Sequence, residues 1–122
     1  MKLITLSFFA GAILILAFAP AAFGQSKNKT IVLVRHAEKA VVPPTEPDPH
    51  LSTDGEERAK RLMKAVARKY KPHEIFATNY KRTRLTAEPT AKKRGKQVQT
   101  YDPAKHADLV AQIMASKTDH YL

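Results

Sequence analysis

The chain has 122 residues, no cysteine and a formal net charge of +10. That length suits one small domain, and the missing cysteines exclude disulfides, thiolate metal sites and thiol catalysis. The positive balance attracts anions, whether phosphorylated substrates, nucleic acid or anionic membrane surfaces, without choosing among them.

Residues 1–24 have the layout of a secretory signal peptide. Lys2 is the basic start, an uncharged apolar stretch runs from Leu3 to Phe18, and Pro20, Ala21, Ala22 and Gly24 form a small-residue cleavage zone. A membrane anchor is the alternative, but the apolar run of about 16 residues falls short of the roughly 20 that span a bilayer. Cleavage is expected after Ala21 or Gly24. It would remove Lys2 and take the charge from +10 to +9. No cysteine stands there to take a lipid. An exported chain without disulfides fits the bacterial periplasm, with no stable membrane association after cleavage.

Gln25 to Lys29 is a polar leader. Thr30 to Val34 is short, β-branched and apolar at consecutive positions, which predicts a strand covered on both faces, as in a parallel α/β sheet. Arg35 and His36 stand at its carboxyl end. The four prolines of "VVPPTEPDPH" make an irregular loop. A helix follows, opened by a capping box of Thr53 and Glu56 and stopped at Pro72, with Ala59, Leu62, Met63, Val66, Ala67 and Tyr70 on its inner face. "EIFATN" is a second strand. "YKRTRLTAEPTAKKRG" is a second helix, expected to kink or restart at Pro89 and to end at Gly95, with the cations of "KKRGK" facing its negative dipole end. "QVQTY" is a third strand. Asp102 caps a third helix with Pro103 at its first position and Leu109, Val110, Ile113 and Met114 on its inner face. Lys117 to Asp119 is a turn. Strands alternating with helices predict an α/β domain with a largely parallel sheet.

In open α/β sheets ligands bind beyond the carboxyl ends of the strands, where Arg35 and His36 are expected. A neutral imidazole can attack phosphorus, and a guanidinium matches phosphate oxygens bidentately. Arg82, in the first turn of the second helix, could bring a second guanidinium to the same crevice, at a helix end that favours anions. Arg84 is its rival, but two residues further on it points to another face. Glu38 could assist, or could pair with Lys39 as a solvent-exposed carboxylate.

Three segments together resemble the histidine phosphatase superfamily, also called phosphoglycerate mutase-like. "VLVRHAEK" is similar to the family's Arg-His-Gly motif in an Arg35-His36-Ala37 variant. "DPHLSTDGEERAKRL" is similar to its Leu-Ser/Thr-x-x-Gly segment opening the first helix. "IFATNYKRTRLTAEPTA" is similar to its Arg-Ala-x-x-Thr-Ala segment and places Arg82 at the family arginine, with Thr86 and Ala87 behind it. The Ala-Glu-Lys form is similar to small exported members and to SixA-type phosphohistidine phosphatases. The resemblance implies a three-layer α/β/α fold. It implies that His36 is the nucleophile that becomes phosphohistidine, that Arg35 and Arg82 clamp the phosphoryl oxygens, and that no metal or organic cofactor takes part. The substrate would be a phosphorylated small molecule or a phosphoprotein.

The family's second histidine, in a Gly-His pair at the end of a later strand, has no match. His106, His120, His50 and His73 lack that context, and no proton donor is identifiable. Residues 30–122 are therefore expected to be the N-terminal portion of the domain, truncated before that histidine, with an exposed apolar sheet edge and marginal stability. Three readings follow. The first is a phosphatase, impaired by truncation. The second is a non-catalytic module that holds a phosphorylated ligand. The third, a basic nucleic-acid or membrane-surface binder, stands behind the first because the export signal and the three ordered motifs favour family membership, and no aromatic residues interleave with the cations of "KKRGK" as single-strand binding would prefer.

Overall fold

The computed structural model describes residues 28–122. The signal-peptide reading of 1–24 lies outside the described residues. In chain order the elements are β1 (Thr30–Ile31), α1 (Thr53–Lys69), β2 (Ile75–Ala77), α2 (Lys81–Arg94), β3 (Val98–Thr100), the 3-10 turn Pro103–Lys105, α3 (His106–Ala115) and β4 (His120–Tyr121). The fold is α/β, as the alternation of strands and helices predicts. The named strand pairs are parallel: β1 with β4, and β2 with β3. β4 lies between the two halves. On one side Thr30 is level with His120 and Ile31 with Tyr121. On the other, Glu74 bridges Tyr121, and the Phe76 amide donates to the Leu122 carbonyl at 2.7 Å. The strands therefore follow one another as β1-β4-β2-β3.

His120 to Leu122, for which no element was predicted, is the segment that joins this ladder. Tyr121 is 1% exposed. Its hydroxyl donates to the Thr118 carbonyl at 2.6 Å, which satisfies the one polar atom that burial of so large a side chain puts at risk. Lys29 reinforces the turn before β4. Its ammonium donates to the Ser116 and Thr118 carbonyls, at 2.7 Å each, and lies 5.6 Å from the centre of the Tyr121 ring.

β1 departs from the prediction. It is two residues long, and Ile31, Leu33 and Val34 are exposed, Leu33 at 92%. The run was expected to be covered on both faces. Among the described residues β4 pairs with one edge of β1 and no strand pairs with the other, so the apolar run does not acquire the neighbours that burial needs.

The first helix starts one residue earlier than its expected box. Ser52, not Thr53, is the cap, and its hydroxyl accepts from the Gly55 amide at 3.1 Å. Asp54 and Glu56 in the first turn and Arg68 and Lys69 in the last match the helix dipole. Ala59, Val66 and Ala67 are buried on the predicted face, and Leu62 and Tyr70 pack beside them. Lys71 takes a left-handed turn (φ 45°) and Pro72 follows. In α2, Pro89 neither breaks nor restarts the helix, which runs unbroken from Lys81 to Arg94. Gly95 ends it as expected, at φ 63°, its amide donating back to the last-turn carbonyls.

The core is small. Val66, Ile75, Ala87, Ala91 and Leu122 form one cluster between the α1–α2 pair and the sheet. Ala37, Leu51 and Ala59 form a second beneath the Arg35-His36 segment. Each fully buried aliphatic side chain such as Ile75 contributes about 1.5–3 kcal/mol. The third helix is a further correction. Asp102 caps the 3-10 turn, accepting from the Ala104 amide at 2.9 Å, and only then does α3 begin. Of its expected inner face, Ile113 is buried, whereas Val110 and Met114 are exposed at 56% and 64%.

Candidate active site

Beyond Val32, whose amide donates to the Tyr121 carbonyl at 2.9 Å, the chain leaves the sheet, so Arg35 and His36 lie past the strand and not at its end as expected, and three contacts fix the path there. The Ala37 amide donates to Thr86 Oγ1 on α2 at 2.8 Å. The Glu38 carbonyl accepts from the Ser52 amide at 2.9 Å and from the Ser52 hydroxyl at 3.3 Å. The Ala40 amide donates to the His50 carbonyl at 2.8 Å. Gly55 allows the first turn of α1 to lie directly against Glu38, since a Cβ there would collide with the Glu38 carbonyl oxygen. The Leu51-Ser52-x-x-Gly55 stretch is thus a docking surface for the segment that carries His36.

His36 is half-buried. Its Nδ1 lies 2.7 Å from the Ala37 carbonyl. A carbonyl oxygen only accepts, so Nδ1 carries the hydrogen in this bond and the lone pair belongs to Nε2. The ring lines a cavity of about 110 Å³ together with Thr78, Thr83, Thr86, Tyr101 and Leu122. Arg35, next to it, is exposed and makes no ion pair among the described residues.

Arg82 reaches the site by a less direct route. Its carbonyl accepts from the Thr86 hydroxyl at 2.7 Å, so Thr86 links the Arg82 turn to the amide beside His36. Its guanidinium lies 4.1 Å from the centre of the Tyr80 ring and 3.7 Å from Asp48. Neither arginine lines the His36 cavity. Arg84 faces a separate groove on the other side of α2, in keeping with its expected direction. Glu38 pairs with Arg58 at 2.7 Å rather than with Lys39. Its own backbone hydrogen bond and then the Arg58 guanidinium hold its carboxyl below the ordinary value of 4.5.

Asp48 is the residue whose part the sequence reasoning missed. The proline loop brings it to the N-terminus of α2, where Tyr80 makes no side-chain cap bond. The Asp48 carboxylate accepts from the Lys81 amide at 3.0 and 3.1 Å and so caps the helix from 33 positions away. The available signal was a helix start without Ser, Thr, Asp or Asn at its cap. Among the described residues no second histidine meets His36. His120 stands at the entry to β4, level with Thr30, with its ring 5.9 Å from that of His73. The described residues hold no group of three or more metal-ligating side chains.

Residues 31–108 match the family described as histidine phosphatase superfamily (branch 1). The fold is similar to the crystal structure of an Agrobacterium tumefaciens protein assigned as the phosphohistidine phosphatase SixA, with a TM-score of 0.60 and 24% identity over 72% of this chain. The chain spans 62% of that protein's length, and at this identity the likeness is one of fold. No curated protein matches the chain. The family match covers Arg35 and His36, all of α1 and all of α2, and on that ground the chain belongs to the histidine phosphatase superfamily.

Proposed function

We propose that this chain is a phosphatase that transfers a phosphoryl group from a phosphate monoester or a phosphohistidine to His36, and from His36 to water. The bond between His36 Nδ1 and the Ala37 carbonyl carries this reading, because it leaves Nε2 as the nucleophilic nitrogen. Nε2 attacks phosphorus and forms a P–N bond while the bond to the leaving group breaks, and the leaving group takes up a proton from solvent water. Water then attacks phosphorus, the P–N bond breaks with its electron pair returning to Nε2, and inorganic phosphate departs.

Arg35 and Arg82 are assigned to the phosphoryl oxygens, whose charge rises in the transition state. Arg35 is free to take that role. Arg82 exchanges its 3.7 Å partner Asp48 for the phosphoryl group. Glu38 is engaged by the Arg58 guanidinium at 2.7 Å and is assigned no part in proton delivery. The 1–24 leader supports export and a periplasmic site of action, with a mature chain that starts at Ala22 or Gln25, as N-terminal sequencing would read.

One observation favours a second reading, a phosphate-binding module with little turnover: no second histidine meets His36 among the described residues. Phosphate release from p-nitrophenyl phosphate and from phosphohistidine, in the presence of a chelator, separates the two. The first reading predicts release that His36→Ala abolishes. Orthophosphate binding without release from either substrate would establish the second.

A further inference from the structure

We infer that the groove along the outer side of α2 is a subsite for an acidic polypeptide segment that flanks the phosphoryl group. The inference rests on the phosphatase reading above and makes the substrate an acidic phosphoprotein rather than a small phosphate ester. The groove has a volume of about 580 Å³, against about 110 Å³ for the cavity at His36. Its upper end is formed by Asn79 and Lys81, at the carboxyl end of β2 and the start of α2, one residue from Arg82. Its lower end is formed by Lys96 and Val98, at the start of β3. The groove therefore begins at the first turn of α2, the turn that carries Arg82.

The charges along that path point to the ligand. Lys81, Arg84, Lys92 and Lys96 line the groove and face one carboxylate, Glu88. Glu88 pairs with Lys92 at 3.2 Å, and Lys81 lies 3.8 Å from Glu46. Arg84 and Lys96 make no ion pair among the described residues. These cations are spread over the length of α2, which for 14 residues is about 21 Å. One phosphate cannot reach them all, whereas an extended peptide covers that distance in about six residues. The floor between the cations is apolar, with Leu85, Ala91 and Val98, which suits the alternating side chains of an extended peptide. No phenylalanine, tyrosine or tryptophan lines the groove, and His50 is its one ring, so it lacks the row of aromatic faces on which successive bases of a single strand stack. Cations on an open rim of this kind act by steering and by holding partners of opposite charge.

The test uses the full chain with His36→Ala, so that ligand is bound and not consumed. Two fluorescein-labelled peptides are compared, each with a central phosphoserine, one flanked by glutamates and one by serines. At about 50 mM salt, where screening is weak, the acidic peptide is expected to bind about tenfold tighter. The preference should vanish when Arg84→Glu and Lys96→Glu are added, with circular dichroism unchanged. Equal binding of the two peptides, or a preference that survives the double substitution, would overturn the inference. So would an oligothymidylate of equal charge that binds as tightly as the acidic peptide and loses as much in the double variant. The groove and the phosphatase reading fail separately. Acidic preference without phosphate release from any substrate by the unmutated chain keeps the groove and removes the phosphatase. Release without acidic preference does the reverse.

Discussion

The amide of Ala37 donates to Thr86 Oγ1 at 2.8 Å, and the same hydroxyl donates to the Arg82 carbonyl at 2.7 Å. One side-chain oxygen therefore spans 49 positions of sequence and ties the residue after His36 to the turn that carries Arg82. Ala37 is fully buried and Thr86 is 4% exposed, so no water can take over either bond. The position of His36 relative to α2 depends on it.

Thr86→Val keeps the shape of the side chain and removes both bonds. It leaves the buried Ala37 amide without an acceptor, a loss of about 1–3 kcal/mol. Urea denaturation should show the midpoint fall, with Thr86→Ser recovering most of it. Turnover should follow the same order, wild type and Thr86→Ser well above Thr86→Val. A Thr86→Val variant as stable and as active as wild type would remove Thr86 from this positioning role.

Gly55→Ala tests the docking of α1 against the Arg35-His36 segment. The new methyl would meet the Glu38 carbonyl oxygen, a backbone atom that cannot swing aside. Overpacking of this kind costs about 1–3 kcal/mol, although alanine is ordinarily the better helix former. A gain in stability would show that the segment can move away freely.

Capping separates Ser52 from Thr53. Ser52→Ala should cost about 0.5–2 kcal/mol, because it deprives the Gly55 amide of its acceptor. Thr53→Ala, at the first helical position, should cost far less. The opposite order in thermal melts would restore the Thr53 capping box.

The Glu38 carboxyl is lowered from 4.5, first by its own backbone hydrogen bond and then by Arg58. A carboxylate lowered on folding adds stability above its unfolded value, and that stability is lost as pH falls through the lower folded value. The stability difference between wild type and Glu38→Gln should be small, constant near neutrality, and shrink below about pH 4.5. Phosphate release at neutral pH should survive the substitution, because the ionised group donates no proton. An acid limb in the pH profile of turnover that Glu38→Gln abolishes would give Glu38 the proton-delivery role denied to it here.

Leu33, at 92% exposure, has no packing to lose. Leu33→Lys should change stability by no more than about 0.5 kcal/mol and should reduce self-association through the unpaired side of β1. Sedimentation at several concentrations reads the second effect. A large destabilisation would mean that the Thr30 to Val34 run is covered after all.

The features that were legible in the sequence are local ones. The proline loop, the apolar stripe of α1 and Gly95 at the end of α2 each follow from a few neighbouring residues, and the structure carries them; Asp102 is a cap as well, but of the 3-10 turn before α3. The α/β alternation was legible for the same reason, and Arg35, His36 and Arg82 were singled out on the same local grounds, although neither arginine lines the His36 cavity. What was missed depends on partners far away in sequence. Burial of Thr30 to Val34 required strands on both sides of β1, and β4 supplies one. Pro89 was expected to interrupt α2, yet Thr86, Ala87, Thr90 and Ala91 around it are all buried and hold the helix in one piece. Asp48 caps a helix that begins 33 residues later, and no window of local pattern contains both.

The central claim is that His36 carries the phosphoryl group. The most direct measurement is to mix the full chain with a 32P-labelled phosphate monoester or phosphohistidine, quench within the first turnover, and map the label. A label stable in alkali, labile in acid and located on His36, absent from His36→Ala, is the result predicted. Phosphate release with no label on His36, or release that persists in His36→Ala, would contradict it.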